Sequence, residues 1–381
     1  MDAAPVIGIV AGEASGDLLG AHLIQSLRPH VPRAHFVGIA GPRMQGAGAE
    51  SLFPMEKLAV RGYVEVLRHY NEIVGIRRQL ARHFLRHPPA LFVGIDAPDF
   101  NLGLEQKLRS SGIKTLHYVS PAIWAWRSGR IHKIKRAVSK MLTLFPFEAP
   151  LYEQAGVPVS FVGHPLADTL ARMPAPHEMR MQLRLPATAP IVALLPGSRV
   201  SELQHLADVF IATAAKIAEA FPDAVFLAPM ANRETRALFE AALYRQDAAL
   251  NVNIMFGHAH EAMATADVVL VASGTATLEA ALLKRPMVIA YRMPALSWWL
   301  LKRHRYTGHV GLPNILAGER IVPELLQHDA TPEKLAAAVL GLLRDKDARA
   351  ALETRFGQIS DALRQNASDR LAQAVLPMLE T

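Results

Sequence analysis

Ile191-Val192-Ala193-Leu194-Leu195-Pro196-Gly197-Ser198-Arg199 and, further along, Val268-Val269-Leu270-Val271-Ala272-Ser273-Gly274-Thr275-Ala276-Thr277-Leu278-Glu279 follow one plan. In each, a short apolar run stops at glycine and hydroxyl residues before a helical pattern opens. An apolar run bounded in this way predicts a strand buried on both faces. A strand that leads into a helix there presents free backbone N–H groups and the positive end of the helix dipole to an anion. Two such loops rising from one parallel sheet suit a ligand with two phosphates and a sugar. They point to a nucleotide sugar, and so to glycosyl transfer.

Outward from these loops the same alternation continues. Val192–Leu195, Ala224–Leu227, Asn253–Phe256, Val268–Ala272 and Met287–Ala290 read as strands, with helices at 203–220, 234–245, 261–266 and 275–283 between them. An earlier series, Val6–Val10, Ala34–Ile39, Leu91–Ile95, Lys114–Val119 and Met141–Leu144, is interleaved with helices at 16–27 and 65–84. Strands alternating with helices predict an α/β chain whose parallel sheets carry helices on both faces. The stretch 165–190 breaks the pattern with prolines at 165, 174, 176, 186 and 190, and reads as an interdomain segment. Two doubly wound, Rossmann-like domains follow, 1–165 and 190–345, with wholly helical chain after Pro332. Such domains take ligands at the carboxyl ends of their strands.

Composition narrows the classes. At 381 residues and 51% hydrophobic, the chain can bury two α/β cores. Without a cysteine, disulfides, thiolate nucleophiles and Cys-ligated zinc are excluded. Met1-Asp2-Ala3-Ala4-Pro5 has neither a basic segment nor a long apolar core, so no cleaved signal is expected. Lys and Arg number 41 against 34 acids, a net charge of +7, which fits an anionic substrate or an anionic membrane. Nothing in the sequence resembles a nucleic-acid-binding module.

The first domain supplies the candidates for chemistry. Gly12-Glu13-Ala14-Ser15-Gly16-Asp17 follows the first strand. Its spacing is not that of a dinucleotide fingerprint, and a glycine-rich turn with Ser15 capping the next helix accounts for Gly12, Ser15 and Gly16 but not for Glu13. Leu91–Ile95 ends at Asp96-Ala97-Pro98-Asp99-Phe100-Asn101. Asp99 suits a helix cap, whereas Asp96, followed by a small residue and a proline, need not cap anything and is favoured as general base. Tyr118–Arg127 joins Trp124 and Trp126 to a basic run that starts at Arg127. One Trp filling the core is the plain reading; an aromatic and cationic wall beside an acceptor is the functional one.

At this point a resemblance can be stated. GEASGD at 12–17, AGPRM at 40–44, VGIDAPDFN at 93–101, HYVSPAIWAWR at 117–127, FPFE at 145–148 and FVGHPLAD at 161–168 resemble, in that order, the lipid-A-disaccharide synthase family. LLPGSR at 194–199, SGTATLE at 273–279, YRM at 291–293 and LPNILAG at 312–318 continue the likeness to the C-terminal helices. The resemblance implies a GT-B fold, with its two domains facing across a cleft and the C-terminal helices, 346–381, crossing back onto the first domain. It implies an inverting glycosyltransferase that joins UDP-2,3-diacylglucosamine to 2,3-diacylglucosamine 1-phosphate. The products are UDP and the β(1→6) lipid A disaccharide 1-phosphate of Gram-negative bacteria.

Inversion needs a base for the acceptor 6-hydroxyl and charge stabilisation for the departing UDP. Asp96 is the expected base, with Glu13 second. Ser15, Asp99, Trp126 and Arg127 are expected to line the acceptor. Gly197, Ser198, Arg199, Ser273, Gly274, Thr275 and Thr277 are expected to hold the donor, and Glu279, by the resemblance, the ribose hydroxyls. Asn314 either closes the donor side or forms a turn. No metal-ligand spacing accompanies these loops, so no cofactor and no Mg²⁺ are expected. A nucleotide-sugar epimerase would share the fold and the donor loops. An NAD-dependent oxidoreductase lacks its fingerprint, and a lipid binder without activity has no need of paired donor loops.

Two expectations concern surfaces. The helix near 65–87 carries Val66, Leu67, Ile73 and Ile76 on a broad apolar face flanked by Arg and His, which reads either as sheet packing or as an acyl-chain and membrane contact. The second reading predicts a cytoplasmic protein bound peripherally to the inner membrane. Leu352, Phe356, Ile359 and Leu363 form one stripe for docking on the first domain; exchange of the last helices with a second copy, giving a homodimer, is a variant of that contact.

Overall fold

Apolar runs that alternate with helices close into two parallel sheets, as the computed structural model shows. It describes residues 4–58, 63–123, 129–246, 250–294, 298 and 308–380, with the backbone alone for 63–70. The first sheet holds β1 (Val6–Ala11), β2 (His35–Ile39), β3 (Ala49–Ser51), β4 (Leu91–Ile95), β5 (Thr115–Tyr118), β6 (Lys140–Thr143) and β7 (Val159–Phe161), in the order β3-β2-β1-β4-β5-β6-β7. The second holds β8 (Ile191–Leu195), β9 (Val225–Met230), β10 (Val252–Phe256), β11 (Val268–Ala272), β12 (Met287–Tyr291) and β13 (Glu324–Leu326), in the order β10-β9-β8-β11-β12-β13.

The central strands β4, β8 and β11 are buried along their whole length, as helices on both faces of a parallel sheet require. The three-residue strands β3, β7 and β13 escape the sequence pattern because none contains an apolar run long enough to register. Each sheet reverses its winding once. The reversal falls between β1 and β4, where Ala11 pairs with Ile95, and between β8 and β11, where Leu195 pairs with Val271. Crevices at such reversals are where doubly wound sheets bind ligands. GEASGD, VGIDAPDFN, LLPGSR and SGTATLE all leave the carboxyl ends of these four strands.

The chain divides into two compact units, one running to Asp168 and resuming at Leu363, the other spanning Thr169–Ala362. In the first, Leu19, Leu23, Ile24 and Leu27 of the helix Ala14–Leu27 enter the core, together with Leu371 and Val375 of the last helix, Ala367–Leu379. Asp168 receives the amide of Ala367 at 2.7 Å and so caps that last helix. In the second, Leu203, Leu206, Phe210 and Ile217 of the helix Val200–Ala220 meet Leu335 and Val339 of the helix Pro332–Arg344 in one core. The apolar stripe expected to dock on the first domain begins elsewhere: Leu352 packs on the core of the second unit. Arg355 reaches Glu319 at 2.8 Å there too.

The segment 165–190 contains two short helices, Pro165–Leu170 and Pro176–Gln182. Arg180 fastens the second to its unit through the Thr265 carbonyl at 3.0 Å and the Asp267 carboxylate at 2.9 Å.

Ile76 is a correction to the sequence reading. It is 4% exposed and lies in the first core with Leu80, Ala81 and Phe84, so the apolar face of the helix Tyr63–Arg86 is packing surface at that position. Ile73 is half-buried against the same core. The side chains of Val66 and Leu67 lie outside the described residues.

Candidate functional site

The first of the four loops starts with Glu13, which stands at the N-cap of the helix Ala14–Leu27 in extended conformation. Ser15 lies inside that helix and is exposed, so it does not cap it as the sequence suggested. Asp17, the second acid of GEASGD, is turned inward. It is 2% exposed and accepts the amides of Arg43 at 2.9 Å and Met44 at 3.0 Å, capping the short helix of AGPRM. The motif thus splits into a structural carboxylate, Asp17, and an outer one, Glu13.

Asp96 closes β4 at φ +50, and Ala97 follows at φ +43. Two successive non-glycine residues in the left-handed region cost energy, and such strain gathers at functional sites. The Asp96 amide donates to Tyr118 O at 2.9 Å, and the next residue of that strand end, Val119, has φ +84. A β-branched residue there is a further outlier. Asp99 lies in the first turn of the helix Pro98–Arg109, where an acid meets the positive end of the dipole. Its side chain is paired with Arg130, and its carbonyl accepts Arg77 at 3.3 Å. Trp126 and Arg127 lie outside the described residues.

In the second unit the two loops differ. At the first, Gly197 has φ +133, and a Cβ there would come within 2.5 Å of Glu202. The Glu202 carboxylate takes the amides of Ser198 at 2.9 Å and Arg199 at 3.3 Å, and also Nη1 of Arg199 at 3.0 Å. An anion from the protein itself therefore occupies the start of the helix Val200–Ala220. The sequence offered a signal for this, since a Glu three residues into a helix commonly reaches back to the cap.

At the second loop the space is open. A Cβ on Gly274 would meet nothing within 4 Å. Ser273 Oγ donates to Val310 O at 3.0 Å, and Thr277, fully buried, donates to the Gly274 carbonyl at 2.7 Å. These two hydroxyls shape the loop from within. Glu279, one turn on, receives Nε2 of His260 at 3.1 Å, a partner sequence reading missed.

Asn314 is fully buried and spends its whole amide on the protein. Its Nδ2 donates to Val322 O at 3.0 Å and Glu324 Oε1 at 2.8 Å, while Oδ1 accepts the amides of Ile321 and Val322. Glu324 in turn accepts the amides of Val310 and Gly311. Asn314 thereby fixes the loop that receives Ser273, in the manner of the turn former considered above.

Comparison with known proteins adds to this geometry. The family model described as lipid-A-disaccharide synthetase matches residues 7–377. A lipid-A-disaccharide synthase of Methylobacillus flagellatus is 60% identical over 377 residues, covering 99% of this chain and all of its own. One of Dechloromonas aromatica is 53% identical, with both chains wholly covered. Among solved structures, the calicheamicin glycosyltransferase CalG4 superposes with TM-score 0.65 at 14% identity, over 99% of this chain and 98% of its own. A UDP-GlcNAc 2-epimerase of Neisseria meningitidis gives 0.66 at 11%, over 98% and 99%. At such identities the likeness to solved structures is one of fold alone, the two-domain α/β arrangement of GT-B glycosyltransferases.

Proposed function

The chain belongs to the lipid-A-disaccharide synthetase family, and from that premise we propose how its residues carry out the reaction. It is a UDP-sugar-dependent glycosyltransferase that makes the lipid A disaccharide. The observation that carries this is the match over residues 7–377, which takes in both sheets and all four loops. The epimerase reading is not favoured, since relatives at 60% and 53% identity over nearly the whole chain are synthases.

The donor is UDP-2,3-diacylglucosamine and the acceptor 2,3-diacylglucosamine 1-phosphate. An α-linked donor and a β-linked product require one in-line displacement. Asp96 takes the proton of the acceptor 6-hydroxyl as that oxygen attacks the anomeric carbon, with Glu13 as the second carboxylate of the acceptor unit. The backbone amides of the Gly274 loop and the Arg199 guanidinium meet the diphosphate as negative charge grows on it. Glu279, held by His260, takes the ribose hydroxyls. Incubation with UDP-diacylglucosamine, with and without acceptor, tests the reading: UDP release must depend on acceptor. Conversion of donor without acceptor would restore the epimerase.

Both substrates are acylated, so the protein works at the cytoplasmic face of the inner membrane as a peripheral partner. Among the described residues no helix is long and apolar enough to cross a membrane. Support for surface binding comes from Arg78, Arg82, Leu85, Arg86 and His87, all exposed at the end of the helix Tyr63–Arg86 and just beyond it. Cations and an apolar side chain on one surface suit an anionic leaflet. Replacing the three arginines with Gln should weaken binding to anionic vesicles while the melting temperature holds. Unchanged vesicle binding would dismiss this surface.

A further inference from the structure

The strained turn after β4 is held by a side chain that nothing above has used. Asn101 sits in the first turns of the helix Pro98–Arg109 and is fully buried. Its Nδ2 donates to the carbonyl of Asp96 at 2.9 Å and approaches those of Ile95 at 3.3 Å and Val10 at 3.4 Å. One amide group thus gathers the carboxyl ends of β1 and β4, the two strands that flank the reversal of the sheet. Its other end does nothing of the kind: Oδ1 is buried without a partner. A buried acceptor left unpaired is costly, so the site tolerates a loss in order to keep the N–H donors where they are.

The surroundings are cut to fit this side chain. Gly94, two residues before Asp96, has no room for a Cβ, which would stand 3.0 Å from Cβ and Cγ of Asn101 and 2.1 Å from Oε1 of Glu105. Glu105, one turn beyond Asn101, is itself buried and bonded to Nδ1 of His117 at 2.7 Å, which locks the helix against β5. The backbone of Asn101 is tied as well, its N–H reaching Ala97 O at 2.9 Å. The helix register, and with it the Asn101 amide, is therefore rigid.

We propose that Asn101 is the positioning residue for the Asp96 carboxylate: by holding the Asp96 carbonyl it keeps the β4 turn in its left-handed conformation and aims the side chain at the acceptor hydroxyl. The inference rests on the reading of Asp96 as base. Alignment of a reacting group is worth much, since about 1 Å of misplacement can cost about 10²-fold in rate.

The test uses Asn101→Ala and Asn101→Ser in the full chain, beside Asp96→Ala. For each, kcat, the donor KM, the dissociation constant for UDP, the pH profile of kcat and the melting temperature are measured. Asn101→Ala is expected to lower kcat by about 10²-fold, to leave donor KM and UDP binding as they are, and to move the acid limb of the pH profile. Asn101→Ser, which keeps a short donor, should lie between it and the parent. If Asn101→Ala does not fold, Asn101→Ser decides alone: a reduced kcat at unchanged donor KM supports the inference. A folded variant with parental kcat and pH profile, whatever its melting temperature, overturns it and leaves Asn101 a purely structural residue. A fully active Asp96→Ala instead overturns the base assignment, a separate outcome.

Discussion

The guanidinium of Arg199 donates from Nη1 to Oε1 of Glu202 at 3.0 Å, so the cation expected to meet a phosphate already holds an anion. Nearly half of the Arg199 side chain is exposed, and ion pairs in that setting contribute only about 0.2–1 kcal/mol. A diphosphate carries more charge than one carboxylate and can take the guanidinium over at small cost.

Arg199→Ala should therefore lose both donor affinity and turnover, by about 10- to 100-fold together, the range of a hydrogen bond to a charged group. Activity of the parent should persist in excess EDTA. Abolition by chelator with recovery on adding Mg²⁺ would show that a metal, and not Arg199, neutralises the leaving group.

Asp96→Ala should keep UDP binding while losing about 10²–10⁴-fold in kcat, the usual contribution of a general base. Glu13→Ala should fall less far. The reverse ranking, measured under the same saturating donor, would move the base to the loop after β1.

Ile76→Ala should destabilise the fold by about 2–5 kcal/mol, as truncation of a buried aliphatic does. Denaturant unfolding measures this. A loss of vesicle binding with parental stability would instead return Ile76 to the surface role that its sequence pattern suggested.

A fourth prediction concerns acid. Burial pushes the imidazole of His164 down to about 4, with His22 nearby acting in the same direction. Its Nδ1 accepts the Leu166 amide at 3.2 Å, which needs the neutral ring. His22 is lowered too, by burial opposed by Asp168. The unfolded chain, with its imidazoles near 6.5, binds protons that the folded protein refuses. Stability should thus be intact above about pH 6.5 and fall as the pH drops toward 4. His164→Gln, which keeps an acceptor without the charge, should flatten the pH dependence of the melting temperature over that window. An unchanged slope would place the acid sensitivity elsewhere.

Much of this was legible in the sequence, and the boundary has a physical cause. Long apolar strands such as Ile191–Leu195 and Val268–Ala272 announce themselves because burial on both faces leaves no polar position. The loops after them were legible too, since glycine and hydroxyl residues in a row have few other uses. What stayed hidden depends on partners distant in sequence. The role of Asp17 appears only when its carboxylate is found under the amides of Arg43 and Met44. Ile76 lies on a helix whose apolar face would suit a core or a lipid surface equally, and only tertiary packing decides between them. Asn314 carries the same side chain whether it meets a ligand or knits a loop. His260 and Glu279, 19 residues apart, meet only because the helices that bear them are neighbours.

The division of the chain also bears on how it is made. The second unit, Thr169–Ala362, is an insertion within the first, whose last helix is supplied by residues from Leu363 onward. Leu371 and Val375 of that helix are fully buried in the first core. During synthesis, the first unit therefore waits for residues from Leu363 onward, while the inserted unit has all of its own core residues before them. The unit bearing Asp96 therefore closes its apolar core only with residues that follow the whole of the inserted unit.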